Sequence, residues 1–274
     1  MKILFYILTC FSVLGADMPT THSFRNYDSA PERVKKTYYL SHTEQTVSFV
    51  KQKRAEYFPL RKIKMSLWEA FDLLDTIVDE SDPDTEKGQT LHAIQTAEAI
   101  RKDGHPRWLI LTGLIHDMGK LLTAFGEPQW AVVGDTFPVG CAFEKSNIFH
   151  EYFHDHPDCK DPCYNTTYGI YAPHCGYDQL LMSFGHDEYI YEVMKPYLPK
   201  ESLYILRFHS FYPAHYENGY TFFRNEEDQK LMPYLKLFQK YDLYTKQDQE
   251  IELDKVLPFY KELVSEFLPE TIQW

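Results

Sequence analysis

The chain has 274 residues, 44% of them hydrophobic, 25% charged and 16% aromatic, with 21 Tyr and 19 Phe. That length can bury one sizeable, aromatic-rich core, and no repeat or low-complexity tract divides it. A formal charge of -12, from 40 acidic and 28 basic residues, opposes a nucleic acid or other polyanionic partner. It leaves a small neutral ligand, or a phosphate compound met by a few converging basic residues.

The chain opens on MKILFYILTCFSVLGAD, with one Lys, an apolar run over residues 3–14 and the small Gly15 and Ala16. Residues 1–16 therefore read as a signal peptide or as an uncleaved apolar arm, and they are short for a membrane span of about 20 residues. Cleavage would remove Cys10 and leave Cys141, Cys159, Cys163 and Cys175, an even number, with a glycosylation sequon at Asn165-Thr166-Thr167. Secretion stays open on these grounds. Residues 17–274 read as one domain.

Apolar residues recur at three and four over 44–57 and 67–78, as on amphipathic helices. The acidic DESDPDTEKGQT follows, broken by Pro83 and Gly88. Leu91, Ile94, Ala97 and Ile100 form a helical stripe ending near Gly104, and a further helix is predicted over 108–125. Residues 126–176 are irregular and punctuated by Pro128, Pro138, Pro157, Pro162 and Pro173. Helical spacing returns over 187–194, 202–211, 226–244 and 257–267. Without a succession of alternating strands the class is all-α, a helical bundle with long irregular loops.

The helix predicted over 108–125 contains LTGLIHDMGKLL, an apolar segment carrying His116, Asp117 and Lys120. Ionisable groups in a core cost several kcal/mol unless compensated. His92 in TLHAIQTAEAI, His186 in LMSFGHDEYIYEVM, His209 in LYILRFHSFYPAH and Asp242 in LKLFQKYDLYTK lie in comparable settings. One buried His is most often a hydrogen-bonded packing residue and one Asp a cap or salt bridge. As a group they supply the N and O ligands that a divalent metal needs from separated elements.

The pattern of His92, then His116-Asp117, then Asp242 resembles the HD-domain superfamily, whose H…HD…D ligands bind one or two metals on an all-α scaffold. His186 and His209 go beyond the one-metal pattern and favour a pair bridged by Asp117. FRNYDSA, DESDPD, LHAIQTAEAIRK, GLIHDMGK, FGEPQWAVVGDTFPVGC, YAPHCGYDQLLMSFGHDEY, RFHSFYP and YDLYTK, in this order, resemble the myo-inositol oxygenase family. The resemblance implies a mixed-valent Fe(II)/Fe(III) pair that binds inositol and O2 as co-substrate and cleaves the ring to D-glucuronate. It assigns His92, His116, Asp117 and Asp242 to one iron, and His186, His209 and the bridging Asp117 to the other. It implies substrate contacts from Asp79, Glu80, Ser81, Lys120, Gly134, Asp135, Ser210 and Lys246, with Arg25 on an arm closing over the site. Asp117 and Lys120 would be its catalytic pair, since an ammonium can offset the negative charge of a deprotonated hydroxyl.

The resemblance further implies a cytoplasmic location, against which the signal-like start stands, and a monomer is expected. A second departure is FEKSNIFHEYFHDHPDCKDPC, where His150, His154, Cys159 and Cys163 admit a zinc site or only an exposed, variable loop. Two other functions fit the residues. An HD-type phosphohydrolase would use the same metals to activate water against a phosphate ester, with Lys120, Lys246 and Arg25 on the phosphate. A secreted binding protein would keep the pocket without turnover, though no ligand position is substituted.

Overall fold

The computed structural model describes residues 27, 29–77, 80–81, 88–244 and 251–274. The signal-like segment, Arg25, Asp79 and Lys246 lie outside the described residues. Among the described residues the fold is all-α. Its helices are α1 (Glu32–Glu44), α2 (Val47–Tyr57), α3 (Leu67–Leu74), α4 (Gln89–Lys102), α5 (Arg107–Ile115), α6 (His186–Met194), α7 (Lys200–Phe208), α8 (Tyr212–His215), α9 (Glu226–Tyr244) and α10 (Leu253–Phe267). Two-residue strands, Lys64–Met65 and Ile272–Gln273, pair antiparallel with Met65 opposite Ile272.

Local chemistry sets several helix starts. Ser66 and Glu69 form a reciprocal capping box at α3, and the Thr46 hydroxyl accepts from the Phe49 amide at α2. Pro31, Pro106 and Pro199 stand immediately before α1, α5 and α7. Of the stripe predicted on α4, Ile94, Ala97 and Ile100 are buried and Leu91 is half-buried, and the helix packs on α5, where a Cβ added at Gly113 would meet Ile100 and Ala97. Helices α6 and α7 form a second pair, and α9 packs against both α4 and α7. This arrangement places α4, α5, α6, α7 and α9 around one interior point.

The structure holds one helix, α1, that the sequence spacing does not predict, and it ends two predicted helices early. Helix α1 has no apolar periodicity because its buried positions include Thr37, Ser41, His42 and Thr43 beside Val34 and Tyr38. The helix predicted over 108–125 stops at Ile115, and Met118–Leu122 is a separate 3-10 turn. Asp117 joins the two pieces at φ -91° and ψ 0°, in the bridge region of backbone space. The turn packs on the start of α6, where a Cβ at Gly119 would lie 2.0 Å from the His186 carbonyl oxygen. Only glycine permits that approach. The helix predicted over 202–211 likewise ends at Phe208, so His209 and Ser210 follow it.

Residues 126–176 are irregular, as predicted, yet densely packed. Phe143 stacks on Phe153 with centroids 3.9 Å apart, and Phe153 stacks on His42 at 4.0 Å. The zinc reading of this segment fails. Among the described residues the groups of His, Cys, Asp and Glu that could hold a metal are two, and neither includes His150, His154, Cys159 or Cys163. The Cys159 thiol instead donates to the Phe153 carbonyl, and Cys163 is exposed. All four described cysteines are free thiols.

Candidate metal centre

Two of the histidines are held by the same local device. His116 and His209 cap the C-terminal ends of α5 and α7, and each Nδ1 meets the carbonyl three residues earlier, Gly113 at 2.9 Å and Leu206 at 3.0 Å. Those carbonyls belong to the last turn of a helix, where no intrahelical donor remains for them. His186, the first residue of α6, places its Nδ1 2.7 Å from the Val132 carbonyl. With Nδ1 committed to a carbonyl in all three rings, each ring turns its Nε2 inward.

These nitrogens face carboxylates. His116 Nε2 lies 3.3 Å from both Asp117 Oδ2 and Asp242 Oδ1, while His92 Nε2, on α4, lies 3.0 Å from Asp242 Oδ1. On the other side of Asp117, Oδ1 is 3.7 Å from His186 Nε2 and 3.8 Å from His209 Nε2. One carboxylate thus turns one oxygen toward His92 and His116 and the other toward His186 and His209. Two clusters share Asp117, one with His92 and His116 and one with His186 and His209, and within each the ligand atoms lie within 4.8 Å of one another.

Lone pairs aimed at lone pairs in a buried site require a cation between them. The Nε2 atoms of His116 and His209 are buried and lack a hydrogen-bond partner, and the residues themselves are 1% and 2% exposed. A proton can serve in part. Burial alone would lower the His116 pKa, but Asp117 and Asp242 outweigh it and raise it to about 10. Burial favours neutral acids, yet Lys120 and His116 hold Asp117 well below the usual carboxylate range, and His116 and His92 do the same for Asp242. A site that keeps carboxylates ionised and imidazoles basic fits a metal ion, and the two-sided arrangement fits two.

Lys120 enters from the 3-10 turn. Its Nζ lies 2.9 Å from Asp117 Oδ2 and 3.1 Å from the Gln89 amide oxygen, and the side chain is 10% exposed. The snorkelling open to an arbitrary helical lysine is therefore absent here. Ser210 Oγ is 3.1 Å from His186 Nε2, and the Ser210 carbonyl accepts from the Thr136 amide. That bond fastens the turn carrying Gly134 and Asp135 to the residue after His209. Gly134 has φ +92°, and a Cβ there would meet Tyr38 at 3.4 Å and Ser81 at 3.5 Å. Tyr38 donates to Asp135 Oδ1 at 2.9 Å. Ser81 is buried; the Glu80 side chain is exposed, and its backbone engages Arg33 and Gln129.

Several residues at this site escape sequence reading. Gln89 and Tyr38 carry no chemical signature of their own. Asp187 stands in GHDEY, where its neighbour His186 draws the attention, and Glu188 in the same motif forms a buried ion pair with Arg207 of RFHS. That pair ties α6 to α7, the helices that carry His186 and end at His209. The His209 carbonyl accepts from both Gln239 and His215, which fixes the chain as it leaves α7.

Comparison with known proteins agrees with this geometry. A family model described as myo-inositol oxygenase matches residues 31–274. Inositol oxygenase 1 of Arabidopsis thaliana is 48% identical over 274 residues, covering 95% of this chain and 88% of the relative. Inositol oxygenase of Homo sapiens is 50% identical over 260 residues, covering 92% and 91%, and that of Dictyostelium discoideum is 49% identical over 261 residues, covering 92% and 89%.

Proposed function

Because the chain belongs to the myo-inositol oxygenase family, we propose that it is an inositol oxygenase, cleaving the ring of myo-inositol with O2 to give D-glucuronate. The observation that carries this reading is one carboxylate, Asp117, turned toward two separate pairs of histidines. The proposed first ion takes His92, His116, Asp242 and Asp117, and the second takes His186, His209 and Asp117. Two iron ions in a mixed-valent state would supply the redox chemistry and Lewis acidity that O2 cleavage of a polyol needs.

The chain's own residues bind and orient the ring. Lys120 Nζ stands beside the shared carboxylate, where it donates to a substrate hydroxyl and offsets the negative charge that develops when that hydroxyl loses its proton. Ser81, Gly134, Asp135 and Ser210 offer hydroxyl, backbone and carboxylate partners on one side of the centre, suiting a ring with a hydroxyl on every carbon. Arg25, Asp79, Glu80 and Lys246 complete the proposed substrate contacts. Burial of the ligands excludes bulk water, which strengthens each of these interactions.

Among the described residues no helix is long and apolar enough to cross a membrane. The four free thiols and an iron centre kept partly reduced support a cytoplasmic enzyme, with residues 17–274 as one catalytic domain and the monomer as the working unit. The deciding experiment supplies anaerobically iron-loaded protein with myo-inositol and O2 and follows glucuronate and O2 together. Glucuronate formation matched by O2 uptake is expected. Phosphate release from esters without O2, and no inositol consumption with it, would replace the oxygenase by a metal-dependent phosphohydrolase.

A further inference from the structure

The two subsites are unequal in the ligands proposed so far. The first has two histidines, its own carboxylate Asp242, and a share of Asp117; the second has two histidines and a share of Asp117. Asp187 removes the inequality. Its Oδ1 lies 2.9 Å from His186 Nε2 and 3.4 Å from His209 Nε2. Asp242 Oδ1 lies 3.0 Å and 3.3 Å from the histidines of its own pair. Two donors each about 2.1 Å from one ion are about 3 Å apart when adjacent in its coordination shell, so both carboxylates stand where the neighbour of a ligand stands.

A purely structural role accounts for only half of the Asp187 side chain. Oδ2 accepts the Ser210 amide at 2.9 Å, which fastens the start of α6 to the end of α7, and an acid in a first helical turn is favourable in any case. Oδ1 has no hydrogen-bond partner, although the residue is 0% exposed. A buried carboxylate oxygen without a hydrogen-bond partner, aimed at two imidazole nitrogens, has no purpose in packing and would be costly there. It faces the two histidines that the proposed second ion takes.

We propose that Asp187 belongs to the second metal subsite, where its Oδ1 supplies the negative charge that Asp242 supplies to the first, and that this charge sets the affinity for the second ion. The proposal rests on the dinuclear reading of the site. The experiment titrates metal-free wild type and Asp187→Asn with Mn(II) alone, reading ions bound per chain and the two dissociation constants. Asparagine keeps the shape and an oxygen for the Ser210 amide, so a structural role survives the substitution while the charge does not. Wild type is expected to bind two ions. Asp187→Asn is expected to bind the first ion as wild type does and the second about 10- to 100-fold more weakly. Two ions bound with wild-type affinities by a folded Asp187→Asn protein would overturn the role of Asp187 while leaving the dinuclear reading intact. One ion in wild type would instead overturn the dinuclear reading, and this proposal with it. Should Asp187→Asn fail to fold, a crystal structure of metal-loaded wild type decides. Asp187 Oδ1 turned toward the second ion supports the proposal, and a carboxylate turned away from both histidines overturns it.

Discussion

At the scale of single residues, Lys120 and His42 show how burial acquires opposite meanings. Lys120 is a buried cation paired to Asp117 and Gln89 beside the proposed metal ligands. Lys120→Ala is expected to keep most of its bound iron and its fold while losing about 100-fold or more in turnover, through lost orientation and lost charge stabilisation. Iron per chain and the rate of glucuronate formation are the measurements, and wild-type turnover in an iron-replete variant would remove Lys120 from the chemistry. His42 is a buried base held neutral. It is 1% exposed and stacked on Phe153, and burial pushes its pKa down to about 3 from 6.5. The unfolded chain takes up this proton below about pH 6.5 and the folded chain does not until about 3. Its contribution to stability is therefore complete above about pH 6.5 and falls as the pH is lowered. His42→Phe should flatten that fall, by roughly 2 kcal/mol at about pH 5 relative to wild type, in denaturant unfolding curves. Identical pH profiles for the two proteins would contradict it.

At the scale of elements, the centre depends on where helices stop. His116 and His209 act from helix ends, and Asp117 from a break in what the sequence presents as a continuous apolar helix. LTGLIHDMGKLL has helical spacing throughout, and no proline marks the break; the cause is tertiary, the contact of Gly119 with the His186 carbonyl. Gly119→Ala should cost about 3 kcal/mol or more and reduce metal content, because the new methyl meets backbone. At Gly104, with φ +73° and nothing within 4 Å of an added Cβ, the same substitution should cost only about 1–2 kcal/mol and leave the metal alone. Thermal melts and metal analysis of the pair separate the two costs, and equal effects would show that the close approach is not what holds α6 against the turn. Helix α1 was illegible for the converse reason: its buried face carries Thr37 and Ser41, with Thr37 bonding back to the Arg33 carbonyl of the same helix, and His42, whose partner is the distant Phe149 carbonyl.

At the scale of the whole molecule, most of the candidate site could be read because the proposed ligands are His and Asp set in apolar surroundings, each within a distinctive motif. His92, His116, Asp117, His186, His209 and Asp242 are brought together from separate elements around one point. The residues that steady them were hidden. Gln89, Tyr38, Asp187 and the Glu188–Arg207 pair are ordinary polar residues in sequence and gain meaning only from what the fold sets opposite them. If one carboxylate unites two metal subsites, iron counted per chain in Asp117→Ala beside His209→Ala reveals it. Asp117→Ala is expected to lose both ions, whereas His209→Ala keeps the first and loses mainly the second. Two ions retained in a folded Asp117→Ala protein would contradict it.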